Sequence, residues 1–129
     1  MMGKIVLLVF AAVLAVASAG MVGGFQNVDV NDEGVQNAIN VSVVHHNKGT
    51  NDMYLRQVEE VVSAERQVVA GMKYRITLRL AKSTCRKDRA NDECAIHTDP
   101  KKAQPYECVF TVWSRVWLKE IKVTHERCE

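Results

Sequence analysis

Cysteine is the residue type with the clearest chemistry in this chain of 129 residues. The four cysteines are separated by 9, 14 and 20 positions, and no two form the C-x-x-C pair of a typical zinc site. An even number of cysteines in a secreted domain of this size predicts two disulfides. The four cysteines are Cys85, Cys94, Cys108 and Cys128, and they allow three disulfide pairings. The sequential pairing closes the shortest loops, but spacing alone does not decide which of the three forms.

Histidine is the other residue type that could bind a metal or act as a base. The four histidines show no metal-ligand spacing, and with every cysteine in a disulfide no thiol nucleophile is left to pair with them. The sequence therefore predicts no catalytic residue, no metal and no cofactor, and we expect that the protein is not an enzyme. We interpret the four as surface or half-buried residues: His45, His46, His97 and His125.

The amino terminus predicts export from the cell. Residues 1–4 carry one positive charge, residues 5–16 form an unbroken apolar run, and residues 17–19 provide the small-residue pattern that signal peptidase recognises. Such a run is shorter than the roughly 20 helical residues that span a bilayer. We therefore predict a signal peptide at residues 1–19 and one secreted, extracellular domain at residues 20–129, with no membrane partner.

Charge argues against nucleic acid as a partner. The whole chain has a formal net charge of +2, and removal of Lys4 with the signal peptide leaves +1. Acidic residues lie among the basic residues between positions 82 and 102, which is typical of a solvated loop and not of a nucleic-acid footprint.

The hydrophobic periodicity predicts one helix after a glycine-rich arm at residues 20–27. Asn31 or Asp32 can cap this helix, and Gly49 is predicted to end it in a left-handed conformation. Residues at helical spacing form one face: Val35, Ala38, Ile39, Ser42, Val43 and His46.

The remainder of the chain predicts antiparallel strands. Residues 53–69 suit a helix or a strand, and the local pattern does not decide between them. From Lys73 onward apolar residues alternate with polar ones, which predicts a strand with one wet face. After a predicted loop at residues 86–104, a second alternating strand begins at Cys108 and a last strand at Trp117. A helix that covers one face of such a sheet gives an α+β fold.

One pentapeptide connects these elements to a known family. Residues 67–71 read Gln-Val-Val-Ala-Gly and fit the pattern Q-x-V-x-G at the turn between two strands. Together with Gly23 in the arm, the later Trp117 and the four cysteines, this order resembles type 2 secreted cystatins over the whole of residues 20–129. The resemblance implies a long helix packed across a five-stranded antiparallel sheet. It also implies a strand at residues 53–69 and the disulfides Cys85–Cys94 and Cys108–Cys128.

The resemblance further implies a function and a site. Such proteins are reversible, noncovalent inhibitors of papain-like cysteine proteases, including cathepsins, and bind as a wedge in the active-site cleft. The family typically has proline before the tryptophan, and Val116 in its place leaves that loop freer. The same fold used as a secreted binding module without inhibition is the alternative. Carried over by position, the wedge consists of an arm and two loops: Met21, Val22 and Gly23; Gln67, Val68, Val69, Ala70 and Gly71; and Val116 and Trp117.

A second site is implied by the segment Thr50-Asn51-Asp52. Some members of the family carry Ser-Asn-Asp here, and they block the asparagine-specific cysteine protease legumain with that asparagine. The alternative is that Asn51 and Asp52 merely follow a turn at Gly49, where these residue types are common.

The resemblance also predicts a weak point in the fold. It places Val68 and Val69 in a tight turn, which stiff β-branched side chains fit badly. Strain in a hinge loop favours exchange of elements between copies, so we expect a monomer that can convert to a domain-swapped dimer.

Overall fold

The computed structural model describes residues 24–89 and 94–129. The signal peptide predicted at residues 1–19, and the arm residues Met21, Val22 and Gly23, lie outside the described residues. Short 3-10 turns follow β3 and β4, at Lys87–Arg89 and Val116–Leu118 respectively. The other elements, in chain order, are β1 (Gln26–Asn27), α1 (Glu33–Gly49), β2 (Tyr54–Val69), β3 (Gly71–Arg86), α2 (Pro100–Ala103), β4 (Tyr106–Arg115) and β5 (Glu120–Cys128).

The five strands form one antiparallel sheet in the order β1-β2-β3-β4-β5, so each strand pairs with its neighbour along the chain. Helix α1 contacts β2, β3, β4 and β5, and therefore lies across one face of this sheet. The α+β architecture predicted from the sequence is confirmed.

The core lies between α1 and the facing side of the sheet. Alternate residues of β3 are buried at Tyr74, Ile76, Leu78 and Leu80, as the period-two pattern predicts. The adjacent strand β4 contributes a second buried row, and α1 covers both rows with one face. The fully buried hydrophobic residues of these two elements are Cys108, Phe110, Val112, Val35 and Ala38.

Helix α1 begins as predicted but ends differently. The Asp32 carboxylate accepts a hydrogen bond from the Val35 N–H at 3.2 Å and caps the first turn. The prediction of a left-handed stop at Gly49 is wrong, because Gly71 is the only described glycine with a positive φ. The helix ends when Thr50 turns to extended backbone, with φ −98° and ψ 154°.

The segment that the local pattern left undecided is strand β2. Its residues facing α1 include Val58, Val61 and Ala64, which are three positions apart instead of two. The register shifts between Val58 and Glu60 and between Val61 and Ser63, and each shift inserts a residue into the strand. These two inserted residues give β2 a helix-like spacing of apolar residues, although its backbone is extended.

Both disulfides follow the sequential pairing that the resemblance implies, Cys85–Cys94 and Cys108–Cys128. The loop predicted at residues 86–104 starts one residue later, because Arg86 ends β3, and it contains the 3-10 turn and the short helix α2. The Asp99 carboxylate accepts a hydrogen bond from the Lys101 N–H at 3.0 Å, and Pro100 occupies the first helical position. Proline therefore starts a helical turn here and does not mark an unstructured loop.

The prediction that all four histidines are surface or half-buried residues is wrong for His46, which is 4% exposed. Its Nδ1 lies 2.9 Å from a Glu126 carboxylate oxygen and its Nε2 lies 2.7 Å from the Tyr106 hydroxyl. Both ring nitrogens therefore have polar partners, which permits burial. The nearby sulfurs of Cys108 and Cys128 are bonded to each other and are not thiolates that could bind a metal.

Candidate protease-binding edge

The first loop, residues 67–71, is the tip of the β2–β3 hairpin. Val69 pairs with Gly71, so Ala70 is the single residue between the two strands. Gly71 has φ +94°, a conformation that side-chain-bearing residues rarely adopt. A Cβ atom at Gly71 would collide with the carbonyl oxygen of Ser114 in β4. Glycine is therefore required both by the turn and by the close approach of the neighbouring strand.

The two valines of this loop are exposed but are not in the turn conformation expected for them. Val68 and Val69 are the last residues of β2, and neither has a positive φ. The predicted strain at these residues is wrong, because Gly71 provides the left-handed conformation and leaves both valines extended. Val68 is nevertheless 71% exposed, so the tip of the hairpin presents an apolar side chain to solvent.

The second loop is the 3-10 turn Val116–Leu118 between β4 and β5. Strand β5 begins at Glu120, so the prediction that Trp117 begins the last strand is wrong. The turn closes with a hydrogen bond from the Lys119 N–H to the Val116 carbonyl at 3.0 Å, and Lys119 adopts a left-handed conformation with φ 50°. Val116 and Trp117 are 78% and 63% exposed.

Leu118 is an exposed residue of this loop that sequence reasoning assigned to the strand. The available signal was three consecutive apolar residues, Val116 to Leu118, which do not alternate as a strand with one wet face would. Their exposure makes this loop an apolar surface of the kind that usually has a partner.

The described end of the amino-terminal arm lies beside the first loop. Strand β1 pairs with β2 at Gln26 and Arg66, and the guanidinium of Arg75 lies 4.2 Å from the centre of the Phe25 ring. Gly24 and Val68 line the same groove. The described part of the arm therefore leads up to the first loop, whereas Met21, Val22 and Gly23 precede the described residues.

The two loops and the end of the arm lie at the same end of the strands, and together they form the candidate protease-binding edge. The collision that a Gly71 side chain would make with Ser114 shows that the first loop contacts the strand that carries the second. Across the base of the second loop, the guanidinium of Arg115 donates to Glu120 at 2.7 Å. Hydrogen bonds from Arg115 and from Lys122 lower the pKa of the Glu120 carboxyl. Chemically, this edge offers exposed apolar side chains on an ordered frame, an arrangement suited to filling a cleft.

Asn51 lies far from this edge, in the connection between α1 and β2. The residues beside Asn51 are fixed, since the Lys87 ammonium donates to the Thr50 carbonyl at 2.9 Å and to the Thr50 hydroxyl at 3.0 Å. On the other side, Asp52 accepts from the Tyr54 N–H at 3.1 Å. Residues 54–66 of β2 separate Asn51 from the first loop, a length of about 40 Å at roughly 3.3 Å per residue.

The charge of the neighbouring Asp52 is stabilised. Burial raises the pKa of its carboxyl, but the Tyr54 N–H, the Lys82 ammonium at 3.4 Å and the Arg56 guanidinium together outweigh burial and lower it. Asn51 itself is exposed. It lies in a groove with the apolar side chains of Val44 and Leu55.

The comparison with known proteins agrees with this geometry. A family model described as the cystatin domain matches residues 23–117. A cystatin of Oncorhynchus mykiss is 46% identical over 126 residues, which cover 98% of this chain and 97% of that protein. A cystatin-C of Paralichthys olivaceus is 48% identical over 128 residues, with coverages of 98% and 100%. The crystal structure of dimeric human cystatin F has a TM-score of 0.74 and 32% identity, covering 83% of this chain and 86% of that one.

One long helix across a five-stranded sheet, with exposed apolar loops at one end of the strands, defines a class of small binding proteins. Within that class the chain belongs to the cystatin family. Cystatins are inhibitors of cysteine proteases and not enzymes, and members of the family bind papain-like proteases. Among the described residues, no helix is both long and apolar enough to cross a membrane.

Proposed function

We propose that this chain is a secreted, reversible, tight-binding inhibitor of papain-like cysteine proteases. The observation that carries the proposal is the apolar edge formed by the first loop and the second loop, which β3 and β4 bring together where Met72 pairs with Ser114. The proposal includes removal of residues 1–19 as a signal peptide, so that the extracellular protein begins at Gly20.

The edge is suited to inhibition because it is ordered before it binds. Association costs free energy for every side chain and loop that must be immobilised, and turns fixed by a sheet have little freedom left to lose. Val68 and Trp117 would fill the cleft from the two loops. In the arm, Gly23 would let Met21 and Val22 bend into the non-primed substrate subsites, where a larger residue would obstruct the bend.

Titration of papain with the refolded protein tests this function. We expect stoichiometric loss of activity, and we expect Trp117→Ala to raise the inhibition constant about 30-fold or more, as is typical of a buried interface tryptophan. Met53→Ala is the matched control, because Met53 is also exposed and apolar but precedes the far end of β2. Wild-type protein that leaves papain fully active at molar excess would refute the proposed inhibition and favour the alternative of a binding module.

We propose in addition that Asn51 forms a second inhibitory site, directed at legumain. The supporting observation is that Asn51 is exposed while both of its neighbours are held, Thr50 by Lys87 and Asp52 by Tyr54 and Lys82. An asparagine on an ordered exposed turn is a suitable substrate-like residue for an asparagine-specific protease.

The two sites should be separable, because sites without shared contacts behave additively. Asn51→Ala should abolish legumain inhibition and leave the inhibition constant for papain unchanged within about twofold. Asn31→Ala, which changes an exposed asparagine in the turn before α1, serves as the control and should affect neither protease. The second site is refuted if wild-type protein that inhibits papain never inhibits legumain.

A further inference from the structure

Trp113 is an aromatic residue of β4 on the face of the sheet opposite α1. The buried residues Phe110 and Val112 face the helix, so alternation along the strand directs Trp113 to the other side. There its indole Nε1–H donates a hydrogen bond to the carbonyl oxygen of Ala70 at 2.8 Å. Since Ala70 is the single residue between β2 and β3, this bond ties the tip of the first loop to β4.

The indole ring is itself held in place by the strand ends that flank the second loop. The Arg115 guanidinium lies over the ring at 4.2 Å from its centre, and the Lys122 ammonium lies at 5.7 Å. Both cations contact Glu120, with distances of 2.7 Å from Arg115 and 3.2 Å from Lys122. A continuous set of contacts therefore runs from the Ala70 carbonyl through the indole to both sides of the second loop.

We propose that Trp113 is a positioning residue of the protease-binding edge. Its side chain fixes the first loop relative to the second loop before a protease binds. The proposal rests on the proposed inhibition of papain-like proteases. Val116 leaves the second loop without the proline that would preset one of its backbone angles. The Trp113–Ala70 hydrogen bond and the Arg115–Glu120 ion pair supply order at this edge by another route.

If Trp113 had only a structural role, a different effect of its replacement on inhibition would be expected. A half-buried tryptophan that only stabilises the sheet would affect inhibition no more than any other β4 residue that loses one hydrogen bond. Tyr106 provides that comparison, because its hydroxyl lies 2.7 Å from His46 Nε2 at the opposite end of the same strand. Trp113→Phe and Tyr106→Phe each keep an aromatic ring and each remove one hydrogen-bonding group.

The experiment measures two quantities on the full secreted chain. The first is the dissociation rate from papain, which should rise about three- to tenfold in Trp113→Phe and stay at the wild-type value in Tyr106→Phe. The second is amide hydrogen exchange at Ala70, Gly71 and Met72 in the free protein, which should accelerate in Trp113→Phe alone. Arg115→Gln, which keeps the indole but uncovers its ring, should shift both quantities in the same direction by about twofold.

The outcomes separate this inference from the proposed function. If wild-type protein does not inhibit papain, the proposed function fails, whereas hydrogen exchange still shows whether Trp113 orders the first loop. If wild type inhibits papain but Trp113→Phe and Arg115→Gln dissociate and exchange like wild type, the positioning role is overturned. Equal effects in Trp113→Phe and Tyr106→Phe overturn it as well, because general sheet stability would then account for both.

Discussion

Replacement of Gly71 by alanine should destabilise the protein by roughly 2–4 kcal/mol and weaken papain inhibition by more than about tenfold. Two physical effects add at this position. The backbone has φ +94°, where an L-residue is strained, and the new Cβ would meet the Ser114 carbonyl and lie 3.2 Å from the Arg115 side chain. Relief of this collision must move the first loop away from β4, which separates the two halves of the protease-binding edge.

Urea unfolding and papain titration of the same preparation measure both parts of this expectation. Gly49→Ala is the matched control, because a Cβ atom at Gly49 has nothing within 4 Å and the residue is helical without a positive φ. That variant should keep full inhibition and gain up to about 1 kcal/mol of stability. Equal unfolding midpoints for the two alanine variants would contradict the requirement for glycine at the turn.

The parts of the fold that the sequence predicts well are those with uninterrupted periodicity. In β3 the buried residues Tyr74, Ile76, Leu78 and Leu80 alternate without a register shift relative to β4, so a period of two was sufficient. Helix α1 has a capping aspartate and one apolar face, both of which are local features. By contrast, the two residues inserted into β2 become apparent only from its pairing with β3, which no local window of sequence contains.

The candidate site was located by pattern, but its geometry could not be predicted. The pentapeptide at residues 67–71 identified the first loop through a family resemblance. The contact of Gly71 with Ser114, and the hydrogen bond from Trp113 to Ala70 across 43 positions, depend on how β3 and β4 pair. His46 was misjudged for the same reason, since its partners Tyr106 and Glu126 are 60 and 80 positions away.

Mild heat or denaturant should convert the monomer into a domain-swapped dimer that no longer inhibits papain. Strands β2 and β3 are 16 residues each and are joined only by Ala70, so straightening this turn would merge them into one long strand. The segment from β1 to β2 could then pack onto β3 to β5 of a second copy with the same contacts. Neither disulfide joins the exchanged segment to the remainder of the chain, because both lie between Cys85 and Cys128.

Strain at residue 71 would favour this exchange only in a variant that carries a side chain there, since glycine adopts φ +94° without strain and Val68 and Val69 are already extended. In a continuous strand residue 71 no longer needs a positive φ, and the close approach to Ser114 need not persist. Gly71→Ala should therefore increase the dimer fraction several-fold over wild type under the same conditions, whereas Gly49→Ala should leave it unchanged. Size-exclusion chromatography after a fixed heat treatment measures these fractions.

The separated dimer should distinguish the two proposed inhibitory surfaces. It lacks the first loop, so it should not inhibit papain. The connection that carries Asn51 lies at the other end of β2, where it keeps the contact from Tyr54 and receives the contact from Lys87 of the second copy. Legumain inhibition per chain should therefore remain at the monomer value. A dimer that inhibits papain with full stoichiometry would show that the first loop either is not the hinge or is not the contact. Loss of both activities would place the exchange at another hinge, because opening of the Ala70 turn alone leaves the Asn51 connection intact.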